Sequence, residues 1–249
     1  MDADEYRRMA AAGAIHWWYQ STRALLTRLV EPELVAVTGR VPLVLDAGGG
    51  TGATGGWMTG RATTVLADYE AMALAVARDD HAGAPHALVP VRADLNHLPF
   101  DADVFDAVLC VTALCHRMNP DPSAIVRDMA RITRPGGVVC LMEPGVRRLW
   151  RGHDEVTHTA RRFSVGDLRS MAVDAGLEVV RATGAYSFLV PAAAVLSLVE
   201  RGAPKSDVGR NESGLGGAFG VLARAEQRVL RRVDIPFGLS AIVLARKPG

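Results

Sequence analysis

The stretch Leu43–Gly52, LVLDAGGGTG, decides the fold. Its apolar start reads as a short buried strand, and the glycines read as the turn that ends it. Glycine tolerates positive φ and lets a ligand approach the backbone, so such a loop, placed before a helix, can cradle the polar part of a nucleotide. Gly48, Gly50 and Ala53 also satisfy the dinucleotide spacing GxGxx(G/A), so the loop alone leaves the identity of that nucleotide open.

Working outward, Thr64–Asp68 is a second strand and Glu70–Arg78, rich in Ala, Met and Leu, a helix. Ala87–Ala93, Phe105–Val111 and Gly137–Met142 are three more strands. Between the last two, Asp121 is placed to cap a helix with Pro122 in its first turn; Ile125, Met129 and Ile132 form its apolar stripe, and Gly136 and Gly137 are expected to stop it. Ser164 with Asp167 forms a variant capping box for a helix ending near Gly176. Leu177–Ala182 and Leu239–Ala245 are the last strands. This alternation predicts an α/β, Rossmann-like, doubly wound and mostly parallel sheet, with ligands beyond the strand C-termini. The helix after the glycine loop, Ala53–Arg61, contains Gly55, Gly56 and Gly60 and is expected to be short or irregular.

The length suits a single domain over residues 1–249, read as an N-terminal helical lid (1–40), a cofactor-binding half (41–145) and a substrate-side half (146–249). Residues 187–236 break the alternation as a helical insertion before the last strand: an apolar piece Phe188–Val199, a Gly/Ser-rich turn region Ser206–Gly217, and a basic helix through Arg224–Arg232. A buried core helix is the preferred reading of the apolar piece, with peripheral membrane contact or a dimer face as alternatives. Lys and Arg number 28 against 27 Asp and Glu, which gives no electrostatic case for nucleic acid and favours a small acceptor. Cys110, Cys115 and Cys140 lie unpaired in apolar runs, which suggests a reducing cytoplasm. The polar start shows no secretory signal, and Phe188–Val199 falls short of the roughly 20 residues of a membrane span, so no transmembrane segment is expected. A monomer and a homodimer are both compatible with these features.

Asp68 ends the second strand about 20 residues beyond the loop, where a carboxylate can accept both ribose hydroxyls of a nucleoside; it can also cap the following helix, and both roles can coexist. Asp94 and Leu95 follow the third strand, the first able to accept from an exocyclic amine and the second to pack on a base. Taken together, VLDAGGGTG, LAD, ADLNHLPFDADVFDAV and ARITRPGGVV, from Pro42 to Glu143, resemble the class I S-adenosylmethionine-dependent methyltransferases that act on small molecules. The resemblance implies seven strands ending in an antiparallel hairpin. It also implies S-adenosylmethionine as cofactor, with Gly48, Gly50 and Gly52 against its methionine part, Asp68 on the ribose, and Asp94 with Leu95 framing adenine. Asp46, Tyr69, Thr112 and His116 complete the expected cofactor set. The segment Thr112–His116 lacks the acidic residue that many relatives carry.

Two segments are expected to build the acceptor side. The first holds His16, Trp17, Trp18, Tyr19 and Arg23, whose three adjacent aromatics cannot share one helical face. The second, after the fifth strand, holds His153, Asp154, His158, Arg161 and Arg162. His153 and His158 are the candidate catalytic bases, with Asp154 able to orient an imidazole; no zinc-ligand spacing matches, and no metal is expected. These segments and the chain's end, IPFGLSAIVLARKP, further resemble a bacterial methyltransferase subgroup associated with glycan or lipid-linked sugar pathways. O- or N-methylation of a small molecule, in such pathways or in secondary metabolism, is therefore the expected function. A nicotinamide-dependent oxidoreductase, which the glycine loop also fits, and a catalytically inactive partner subunit of the same fold are the competing readings.

Overall fold

A computed structural model of the chain describes residues 13, 16–37, 39–199 and 215–249. Seven strands form one sheet in the order β3-β2-β1-β4-β5-β7-β6. They are β1 (Leu43–Ala47), β2 (Thr63–Asp68), β3 (Leu88–Arg92), β4 (Phe105–Val111), β5 (Thr133–Pro144), β6 (Glu178–Ala185) and β7 (Ser240–Arg246). The first five pair in parallel, while β7 pairs antiparallel with both β5 and β6. A dinucleotide-binding sheet runs 3-2-1-4-5-6. Here the last strand enters between the fifth and the sixth, so the sheet departs from that pattern at its C-terminal edge.

Helices α1 (Trp17–Val35), α2 (Ala71–Asp80), α3 (Pro122–Ile132), α4 (Gly152–Val156), α5 (Val165–Asp174), α6 (Val190–Val199) and α7 (Leu215–Val229) surround the sheet. Successive strand residues face opposite sides. Val108 of β4 packs in a cluster with Ile125 and Met129 of α3 and Leu168 of α5. Its neighbour Leu109 packs in a second cluster with Leu26 and Val30 of α1 and Ala223 of α7. Every residue of β4 is therefore buried, and each large apolar side chain there contributes about 1.5–3 kcal/mol relative to exposure. This double cover fixes the strand ends that carry the site.

Three sequence expectations shift and one holds. Helix α3 stops at Ile132, ahead of Gly136 and Gly137, which lie inside β5. Pro135 keeps the residue before it extended, and the Thr133 hydroxyl closes the last turn by donating to the Met129 carbonyl at 2.7 Å. The glycine-rich segment after the loop forms only a 3-10 turn, Gly56–Gly60, as its composition implied. Helix α7 begins ahead of the basic run and ends at Val229, short of Arg231 and Arg232. Helix α6 is not the buried core helix preferred from sequence: Pro191, Ala194, Val195 and Leu196 are exposed. Most of Ser206–Gly217 lies outside the described residues. Among the described residues, no helix is long and apolar enough to cross a membrane.

Candidate active site

The C-terminal ends of the parallel strands open into a cavity of about 740 Å³. The turn after β1 forms one wall. Gly48, Gly50 and Gly52 have φ of 71°, 55° and 75°, the left-handed region that side chains disfavour. The Gly48 amide donates to the Ala67 carbonyl at 2.8 Å, which ties the turn to β2. A Cβ on Gly48 would lie 2.6 Å from the Ala113 Cβ, whereas nothing stands within 4 Å of one on Gly50. The loop is thus tight behind and open in front. Beside it, the buried Thr51 hydroxyl lines the cavity and has no hydrogen-bond partner among the described residues.

Two members of the expected cofactor set lie outside the cavity lining. A Cβ on Gly52 would point at His81 Cε1, 3.1 Å away, and at Leu66, so this glycine serves the packing of the turn. Asp46 is fully buried beneath the loop, where a Cβ on Gly49 or Gly55 would strike its carboxylate. Its oxygens have no hydrogen-bond partner among the described residues. Burial, followed by the nearby Asp68 charge, pushes its carboxyl up to about 7.

Asp68 does face the cavity. One carboxylate oxygen accepts from the Gly50 amide at 2.8 Å and the other from the Glu70 amide at 2.9 Å. The side chain thus ties the glycine loop to the start of α2, and a carboxylate with two oxygens keeps lone pairs for further donors. Burial raises its pKa, against the lowering effect of those two amides. Tyr69 stands exposed with the Arg92 guanidinium 5.5 Å from its ring centroid, a cation–π arrangement. Asp94 accepts twice from Asn96, from the amide at 2.9 Å and the side-chain nitrogen at 2.7 Å, and the Asn96 amide holds its carboxyl below the usual range despite partial burial. Leu95 is buried against the loop, 3.2 Å from a Cβ built on Gly48, and also lines the cavity.

The floor comes from the turn after β4. Thr112 has φ 52°, an outlier for a β-branched residue, and such strain persists only where surrounding contacts over-determine it. Those contacts come from Glu143, a buried acid at the end of β5 that the sequence reading missed. Its Oε1 accepts from the amides of Ala113 and Leu114 at 3.0 and 2.8 Å, and its Oε2 from that of Cys115 at 3.1 Å. Burial raises its carboxyl to about 7 against the effect of these donors. The signal was present: one acid closes the otherwise apolar run GVVCLME. His116 lines the cavity, and burial lowers its pKa, which favours the neutral imidazole.

On the acceptor side, His16, Trp17, Trp18 and Tyr19 all reach the cavity from the start of α1, even though Tyr19 is buried among its neighbours. The His16 imidazole accepts from the Trp18 amide at 3.2 Å and so caps the helix. Trp17 meets Tyr186 edge-on at 5.6 Å. Tyr186, also missed from sequence, has φ 58° and shares a 2.9 Å hydrogen bond with Thr22. Arg23 is not among the lining residues but donates at 3.1 Å to the carbonyl of one, Ala53, bracing the segment after the glycine loop.

His153 and His158 both line the cavity, and His158 has φ 55°. Asp154 does not orient an imidazole. Its oxygens are taken by the Arg162 guanidinium at 2.8–3.2 Å and by the Arg151 amide at 2.8 Å. Arg162 also donates to the Gly145 carbonyl at 3.0 Å; with its side chain 8% and that of Asp154 3% exposed, the pair is an internal strut between α4 and β5. Arg161 lies outside the lining and donates to the carbonyls of Asn119 and Pro120.

Residues 45–141, the part of the chain that holds the glycine loop, Asp68 and the β4 turn, match the family described as Methyltransferase domain. Over these residues the chain is similar to a methyltransferase domain. The demethylmenaquinone methyltransferase of Mycolicibacterium paratuberculosis is 37% identical over 137 residues, which cover 51% of this chain and 49% of that protein. The chain spans about half the length, or less, of the curated relatives it matches. Among solved structures, phosphoethanolamine N-methyltransferase 2 of Haemonchus contortus, in complex with S-adenosyl-L-methionine, superposes with a TM-score of 0.59 at 17% identity, covering 92% of this chain and 53% of that one. The [4+2]-cyclase SpnF superposes with the same TM-score of 0.59 at 20% identity, covering 92% and 80%. At these identities the likeness shows the fold alone, and the site has to carry the function.

Proposed function

We propose that this protein transfers a methyl group from S-adenosylmethionine to the oxygen or nitrogen of a small-molecule acceptor. The observation that supports this most strongly is the hydrogen bond from the Gly50 amide to Asp68, which brings the open glycine turn and a ribose-suited carboxylate into one crevice. In this reading Gly48 and Gly50 give backbone room to the methionine part, Asp68 accepts the ribose hydroxyls, and Asp94 with Leu95 frames the base. Tyr69, Thr112 and His116 line the same space, while Asp46 and Gly52 shape the loop from behind. The unpartnered Thr51 hydroxyl is a further donor suited to such a ligand.

The bound cofactor supplies an electrophilic methyl on a sulfonium centre. What remains for the chain is to align the acceptor, exclude water and take up a proton. His153 and His158 are the bases in this reading, and the first turn of α1, with His16, Trp17 and Tyr19, covers the acceptor as a lid. The relative's name, demethylmenaquinone methyltransferase, points to the same broad class of acceptor, a small molecule. The three free, buried cysteines fit a cytoplasmic location.

Calorimetric titration of the full chain with S-adenosylhomocysteine and with NADH tests the cofactor. Binding of the first and not the second is expected, and Asp68→Ala should weaken it tenfold or more. Binding of NADH alone would overturn the assignment.

A further inference from the structure

The cavity lining changes character along the sheet edge. Over β2 and β3 the charged residues that face it are acids: Asp68, Glu70 and Asp94. Over β4 and β5 they are basic or imidazole groups, among them His116, Arg117 and His158, and the acid there, Asp154, is neutralised by Arg162. Arg117 is exposed and its guanidinium has no partner among the described residues. Beyond β5 the lining turns apolar, with Leu189, Ala192, Ala193 and Leu196 from α6 and its preceding turn, Phe219 from α7, and Trp17.

Helix α6 is almost wholly apolar: its sequence VPAAAVLSLV holds no charged residue and one polar one, Ser197. Leu189, Ala192, Ala193 and Leu196 recur at the three- and four-residue spacing of one helical face, and that face lines the cavity. Leu196 is also 37% exposed, and its neighbour Val195 is 63% exposed. The apolar lining is therefore continuous with an apolar outer surface through Leu196. A cavity of about 740 Å³ is ordinary for one ligand, since single-ligand pockets span about 300–1,000 Å³. Here it would have to take a donor and an acceptor together. An acceptor with a long apolar part would fill the inner end and leave along α6.

We propose, resting on the methyltransferase reading above, that the acceptor is an amphiphile: an acidic head group beside His116, Arg117 and His158, and an aliphatic tail that exits over Leu196 between α6 and α7. The acidic head pairs with the Arg117 guanidinium and meets the imidazoles of His116 and His158 as hydrogen-bonding groups, and the tail covers an apolar surface that water otherwise meets.

The test uses the full chain saturated with S-adenosylhomocysteine and titrated with decanoate, butanoate and decanol, with Trp17 and Trp18 as fluorescent reporters. Decanoate is expected to bind at least tenfold more tightly than either of the others. Leu196→Asp, a change at the surface, should weaken decanoate tenfold or more while S-adenosylhomocysteine affinity stays the same. Arg117→Ala should narrow the gap between decanoate and decanol. Equal affinity for decanoate and butanoate, or no effect of Leu196→Asp, would overturn the tail; equal affinity for decanoate and decanol would overturn the acidic head. Failure of S-adenosylhomocysteine to bind the unaltered chain would instead overturn the cofactor reading on which this rests.

Discussion

His158, one of the two bases in the proposed reaction, is held in unusual backbone. It has left-handed φ in a turn whose carbonyl accepts from the Arg117 amide at 3.1 Å, and its side chain lines the cavity. A base placed in this way typically contributes about 10²- to 10⁴-fold in rate. His153→Ala and His158→Ala are each compared with the unaltered chain in single-turnover assays once an acceptor is in hand. At least one of them is expected to slow methyl transfer by about two orders of magnitude with S-adenosylhomocysteine affinity unchanged. Normal rates in both would remove the histidines as bases. Their placement was legible because a His-rich, Arg-rich segment follows the fifth strand. The partner of Asp154 was not, since an acid next to His153 in sequence points instead at Arg162, eight residues on in the segment after α4.

At the scale of elements, the buried Asp154–Arg162 pair joins α4 to the end of β5 and so sets where His153 and His158 stand. Removing one member of such a pair strands the other charge without a partner, at a cost of about 3–5 kcal/mol. Asp154→Ala is thus expected to lower the urea midpoint sharply, and Asp154→Leu with Arg162→Met to recover most of the loss. A full-strength midpoint in Asp154→Ala would contradict the strut role. Strands β1 and β4 were readable to the residue because each is a short, mostly apolar run with a single Asp in it, ended by the turn residues Gly48 or Thr112. The end of α3 was misplaced because glycines suggested a stop, whereas the proline before them had already imposed one. The exposure of α6 could not be read at all: an apolar helix looks the same in sequence whether a core or an open cavity receives it.

Across the whole molecule, two buried carboxyls bear on stability. Burial, then Asp68, raises Asp46 from 3.8 to about 7, and burial raises Glu143 from 4.5 to about 7. Both groups keep a proton in the folded chain over a range where the unfolded chain has released it. Stability is therefore expected to fall as pH rises from about 4 to about 7, and to level off above that. Asp46→Asn should raise stability at both pH values, by about 2.5 kcal/mol more at pH 8 than at pH 5, with the slope from Glu143 remaining. Urea unfolding at the two pH values checks this; an equal change at both would show that Asp46 is ionised throughout.

The whole assignment rests on an adenosine being gripped where the first two strands end. The most direct measurement is a crystal structure of the full chain with S-adenosylhomocysteine. The expected result is the ligand lying across Gly48 and Gly50, with its ribose hydroxyls on the Asp68 carboxylate and its base against Leu95. A ligand bound elsewhere, or that crevice filled by the protein's own side chains, would contradict it.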